Sequence, residues 1–165
     1  MKNWIKRHGI VLSLLLVLAV MVMIYCFSAQ TGEESGSLSG RITGWLLRVL
    51  IPDFETMEPD AQQNLKDIFG LVIRKLAHFS EYALLGFSLY LHITQLRKKW
   101  SVRLPLLWAW GIGTLYAASD EFHQSFVGGR GPSVTDVLID SAGVIAGVLL
   151  MVWILHRNIL KREKV

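Results

Sequence analysis

Cysteine is nearly absent. Cys26 stands alone among 165 residues, so no intrachain disulfide can staple the fold. Charge is also scarce, at 18% of residues against 52% hydrophobic, and the mean hydropathy is +0.41. A soluble domain of this length needs more polar surface, so hydrocarbon is the expected solvent. The chain has no internal repeat, no low-complexity tract and no short metal-ligand spacing of the H-E-x-x-H kind. It is too short for two ordinary domains, so residues 1–165 are expected to form one unit.

What the sequence does have is long apolar runs. They predict four transmembrane helices at about residues 10–27, 74–93, 104–120 and 134–155, in an all-α membrane protein. The first carries no charge and follows Lys2, Lys6 and Arg7. A cleaved signal peptide is the rival reading, but its apolar region is usually about 7–15 residues long and ends at small residues. This run is longer and ends in Tyr25-Cys26-Phe27, which favours a retained helix. The second run is interrupted by His78, Ser80, Glu81 and Tyr82 near its start. The third is short, with Trp100, Trp108 and Trp110 toward its beginning and Pro105 where a first helical turn tolerates a missing N–H. The fourth is long enough to cross with some tilt.

The distribution of charge orients these spans. The N-terminus, the segment 95–104 and the tail after Leu155 hold eleven basic residues: Lys2, Lys6, Arg7, Arg97, Lys98, Lys99, Arg103, Arg157, Lys161, Arg162 and Lys164. Glu163 is the one acid among them. Four spans with alternating loops place all eleven on one side, the cytoplasm by the positive-inside rule, with both termini there. The net charge of +4 and the isoelectric point near 9.4 follow from this, and no nucleic-acid partner is needed to explain them.

Residues 28–74 then lie outside. A polar, small-residue linker from Gln30 leads into Leu38, Ile42, Trp45, Leu46 and Val49 at helical spacing, with Arg41 and Arg48 off that stripe and Pro52 closing the segment. This predicts a short amphipathic helix, lying in the headgroup region or packed on the spans. A second helix should start near Pro59-Asp60 and run into the second span.

Ionisable groups gather at the outer ends of the spans. At 100° per residue, Lys75, His78, Tyr82 and Gly86 fall within an arc of about 80°, flanked by Arg74 and Glu81. Asp136, Asp140, Gly143 and Gly147 share an arc of about 60°. Between the third and fourth spans lie Asp120, Glu121, His123, Gln124 and Arg130. Charges at such depth persist when they face one another or a water-filled cavity, so one polar pocket open to the outside is the economical arrangement. Gly143 and Gly147 would let a neighbouring backbone approach closely. Plainer roles exist for each group. His78 and Tyr82 could bridge helices, Asp136 could complement a helix dipole, Arg130 could touch lipid phosphate, and Lys75 could snorkel. His8, His92 and His156 sit at cytoplasmic ends and read as solvated.

Lys75-Leu-Ala-His78-Phe-Ser-Glu-Tyr82, Asp120-Glu-Phe-His-Gln124, Gly129-Arg130, and Asp136 followed by Gly143 and Gly147 resemble the VanZ-like family. Ser28-Ala29-Gln30 looks like a further short motif of that family. The order and spacing of these pieces carry the resemblance over residues 28–147. It implies a small multi-pass protein of the bacterial cell envelope, in a family whose founding member is associated with resistance to the lipoglycopeptide teicoplanin. Two positions depart from the pattern. Gly128 stands where the family often has proline, and Asp140, an added acid, where asparagine is common.

Three functions compete. A binding protein would use Lys75, Arg74 and Arg130 as anion anchors for the head group of a membrane lipid, a lipoglycopeptide or a cell-wall lipid precursor. An enzyme of the membrane surface would use His78, Glu121, His123 and Asp136, with Asp140, for acid–base or metal chemistry on an envelope lipid. The residues name no particular metal or cofactor. Phosphohistidine chemistry is disfavoured, because Asp136 and Asp140 follow Arg130 where a histidine nucleophile would be required. A conduction path is disfavoured as well, because Ser13 and Ser88 are nearly all the polarity of the cytoplasmic halves.

Overall fold

The computed structural model describes residues 2–96 and 103–162. Arg97, Lys98, Lys99, Trp100, Glu163 and Lys164 lie outside the described residues. The described chain is all helical: α1 (Lys2–Ser28), α2 (Gly32–Leu50), a 3₁₀ turn (Phe54–Thr56), α3 (Pro59–Leu96), α4 (Arg103–Gln124) and α5 (Val134–Arg162). As the sequence implies, α3 runs unbroken from Pro59. Its 38 residues make it ~57 Å long at ~1.5 Å per residue, against ~30 Å for a bilayer's hydrocarbon core.

Arg7–Ser28 and Val134–Arg157 are long and apolar enough to cross a membrane. In α3 and α4 the apolar character is broken by the polar groups that drew notice in the sequence, among them Arg74, Lys75, Glu81, Asp120 and Glu121. Of the four expected spans, two therefore qualify on length and composition. The helices also outrun the expected bounds: α4 continues to Gln124 and α5 to Arg162.

The centre of the bundle is the α3–α5 pair, and glycine sets its closeness. A Cβ on Gly143 would collide with the carbonyl oxygen of Phe79, one on Gly147 with that of Ala83, and one on Gly86 with that of Val144. Backbone lies against backbone, the packing on which helix association depends where there is little water to exclude. Leu85, Leu89, Val144, Val148 and Met151 fill the interior around this seam. α1 joins through Val17, Val20 and Ile24, and the Tyr116 hydroxyl donates to the Met21 carbonyl at 2.7 Å. Ser13 and the Nδ1 of His92 lie 2.9 Å apart, so the half-buried His92 ties α1 to α3, contrary to its expected solvation.

α2 answers both alternatives raised by its sequence. Thr31 caps it, accepting from the Glu34 N–H at 3.2 Å while its own N–H donates to the Glu34 carboxylate at 2.8 Å, a capping box. Ser39, Thr43 and Leu47 are the buried side and pack on α3. Leu38, Ile42, Trp45 and Val49 point away, with Trp45 64% exposed. The helix packs through the narrow face of Ser39, Thr43 and Leu47 and leaves its apolar stripe uncovered, as an interfacial helix does.

Candidate functional site

The N-terminal part of α3 presents Arg74, Lys75, His78 and Glu81, and α2, α5 and the α4–α5 loop close around it. The loop is held in place by its backbone. Gly129 adopts φ +75°, a conformation glycine takes without strain, and the Gly32 N–H donates to the Gly128 carbonyl at 3.0 Å. This turn carries Arg130 over α3, where one guanidinium nitrogen donates to the Phe27 carbonyl at 3.1 Å.

Two small clefts result, of about 120 and 130 Å³, and Arg74, His78 and Arg130 line both. On one side of this partition the wall is largely apolar, with Phe27, Leu38, Ile42, Ile73 and Ala77. On the other it is polar, with Lys75, Gln124, Gly131 and Asp136. A third cleft, about 470 Å³, opens between α2 and the N-terminal end of α3, lined by Gln63, Lys66, Asp67 and Arg74 together with Gly36, Gly40 and Gly70.

The charges sort unequally. Lys75 and Asp136 form an ion pair between α3 and the first turn of α5, so Lys75 does not stand as the free anion anchor expected of it. The Glu121 carboxylate accepts from the Ser133 N–H at 2.6 Å, beside the start of α5, where unpaired donors and the helix dipole favour an anion. Asp120 accepts from the Gln124 amide at 3.1 Å. Arg74 and Arg130 differ from these. The ion pairs of the described residues are Lys75–Asp136 and Arg48–Glu55, so neither arginine has a carboxylate in salt-bridge reach. The Nε of Arg74 and the Nδ1 of His78 are buried and make no hydrogen bond within the protein. Burial, followed by repulsion from Arg74, pushes the Arg130 guanidinium down from its usual value. An oxyanion between these cations would relieve both penalties.

Beneath the clefts lies a buried polar floor. Tyr82 is fully buried and Asp140 is 2% exposed. The Tyr82 hydroxyl and one Asp140 oxygen lack hydrogen bonds, although Tyr82 feels the charges of Asp120 and Asp140. His123 goes elsewhere. Its ring stacks on Tyr25 of α1, with centroids 4.9 Å apart and planes at 29°, and it lines none of the three clefts. Among the described residues, no three His, Cys, Asp or Glu side chains group as a metal site requires. The structure thus draws Arg74, Lys75, His78, Glu81, Gln124, Arg130 and Asp136 to the cleft walls, puts Tyr82, Asp120, Glu121 and Asp140 among the buried groups, and turns His123 toward α1.

Gln63, Lys66 and Asp67 of the third cleft were not among the expected site residues. Their signal is helical phase: Gln63, Asp67, Gly70, Arg74 and His78 fall within an arc of about 80° once α3 is extended outward at 100° per residue. Leu38 and Ile42 were expected as a lipid-facing stripe, and they also form a cleft wall.

No curated protein and no solved structure matches the chain. The sequence model of the family described as VanZ/LLP1 matches residues 13–156, which takes in every helix that builds the clefts. By that match the chain belongs to the VanZ/LLP1 family, and its two long apolar helices agree with a protein of the membrane.

Proposed function

We propose that this protein crosses the bacterial cell membrane four times, with both termini in the cytoplasm, and binds the anionic head group of an amphiphile at its outer face. The spans are residues 10–27, 74–93, 104–120 and 134–155, and the cation bias of the N-terminus, the segment 95–104 and the tail after Leu155 sets their direction. One observation carries the binding role. Arg74 and Arg130 come from separate elements, line the same two clefts, and lack carboxylate partners. An anion with an attached apolar chain suits a partition that has a polar cleft on one side and an apolar wall on the other. Holding a lipoglycopeptide or a cell-wall lipid precursor there would be a route to glycopeptide resistance that needs no turnover.

The test separates anchoring from chemistry. Arg130→Ala should weaken binding of an anionic amphiphile in detergent by about thirtyfold, the value of a lost charge-assisted hydrogen bond at ~2 kcal/mol. Asp136→Asn removes the partner of Lys75, so binding should be kept or improved. Susceptibility to a lipoglycopeptide, in cells making equal amounts of each variant, should follow the binding. Acid–base chemistry on an envelope lipid is the second reading, favoured by the buried Asp120, Asp140 and Tyr82 beneath the clefts. It requires the reverse result, with Asp136→Asn losing the phenotype while binding persists.

A further inference from the structure

Arg74 lines all three clefts, and the three differ in chemistry. The first offers an apolar wall whose outer members, Leu38 and Ile42, are 48% and 49% exposed and lead onto the uncovered stripe of α2. A chain leaving the cleft along that wall stays on apolar surface. At the partition, Arg74 and His78 approach from α3 and Arg130 from the loop. A carboxylate presents two oxygens in one plane, which a single guanidinium fork can satisfy. Donors arriving from different elements suit a tetrahedral oxoanion instead.

The third cleft, the largest, contains both signs of charge and both kinds of hydrogen-bonding group. The Gln63 amide donates to Asp67 at 2.8 Å, and Lys66 lines the same cleft. Gly36, Gly40 and Gly70 line it too, with no side chains to fill it. Mixed donors and acceptors around an open space suit a neutral group rich in hydroxyls, each of which both donates and accepts.

Resting on the amphiphile-binding reading above, we infer that the ligand is a phosphodiester lipid with a hydroxyl-rich head. Its phosphate lies at Arg74, His78 and Arg130, its acyl chain runs along Leu38 and Ile42, and its polyol or sugar occupies the cleft of Gln63, Lys66 and Asp67.

The experiment uses the full-length protein in detergent at about pH 5, where phosphatidic acid, like phosphatidylglycerol, carries about one negative charge, and three probes: phosphatidylglycerol, phosphatidic acid with the same acyl chains, and soluble glycerol phosphate. Wild type should bind phosphatidylglycerol about tenfold more tightly than phosphatidic acid, the equivalent of one or two added head-group hydrogen bonds. Glycerol phosphate should bind far more weakly than either, because the chain contacts are lost. Gln63 and Asp67 are exposed, so Gln63→Ala with Asp67→Ala leaves the fold intact; it should erase the preference and spare phosphatidic acid binding. Arg74→Gln should weaken both lipids at least tenfold while the helical melting transition stays in place. Equal binding of the two lipids by wild type, both still dependent on Arg74, would overturn the hydroxyl-rich head and leave the anionic-amphiphile reading standing. Glycerol phosphate binding as tightly as the lipids would overturn the chain path. Lipid binding that ignores Arg74 would overturn both proposals.

Discussion

On the orientation proposed above, the inner and outer halves of the α3–α5 pair are its C-terminal and N-terminal halves, and they do opposite things. Where Gly143 and Gly147 meet Phe79 and Ala83, and Gly86 meets Val144, the helices touch backbone to backbone, and inward of this seam the residues between them are apolar and buried. Outward from Gly143 the facing residues include Asp136, Lys75 and His78, and the space beside them opens into clefts. Close packing leaves no room for a ligand, and charged groups could not be packed that closely without partners. The halves therefore depend on each other. The rigid seam fixes the register at which Lys75 meets Asp136, and so determines which cations remain free.

The largest effect should come from breaking the seam. Gly147→Val drives a side chain into the Ala83 carbonyl, and overpacking against backbone should cost about 3 kcal/mol. The folded fraction after detergent heating should fall and ligand binding should be lost with it. Gly44 of α2 meets nothing within 4 Å. Gly44→Ala should therefore stabilise its helix by about 0.8 kcal/mol through propensity alone. If both glycines tolerate substitution equally, the closeness of α3 and α5 is not what holds the outer half in register.

Much of this comparison was legible in the sequence. The faces of α3 and α5 follow from the 3.6-residue period, and the Gly143 and Gly147 spacing announced the seam. The sequence leaves both Lys75 and His78 as partners for Asp136, because the choice depends on how two helices rotate against each other, and the structure selects Lys75. His123 was misplaced for a definite reason. Residues 120–130 read as a connecting segment, whereas α4 stays helical to Gln124, which puts His123 ~100° away from Gln124 around the axis. Gln63 and Asp67 lie beyond the N-terminal boundary of the apolar run, where hydropathy gives no reason to extend the polar face of α3.

Two smaller effects sharpen the contrast. Ser13→Ala removes the bridge to His92 at the inner end and should lower stability by about 0.6 kcal/mol, as intramembrane hydrogen bonds commonly do. Thermal melts should detect that shift while outer-face binding stays unchanged. At the outer end, hydrogen bonds from Thr31 hold the Glu34 carboxyl below its usual value of 4.5. Its folded value lies below its unfolded one, so the cap's contribution is present above the unfolded value and is lost as pH falls through the folded one. Amide protection factors at the start of α2, taken relative to the intrinsic exchange rate, should fall below about pH 4.5 in wild type, and Glu34→Gln should flatten that dependence. An unchanged pH response in the variant would assign the effect to another group.

On the proposed function, Arg74 and Arg130, neither with a carboxylate in salt-bridge reach, hold an anionic amphiphile at the outer half. Native mass spectrometry of the protein released gently from bacterial membranes tests it directly. Wild type and Asp136→Asn should both carry a phosphate-containing lipid, and Arg74→Gln combined with Arg130→Gln should emerge without it. The same lipid retained at the same occupancy in all three would contradict the account.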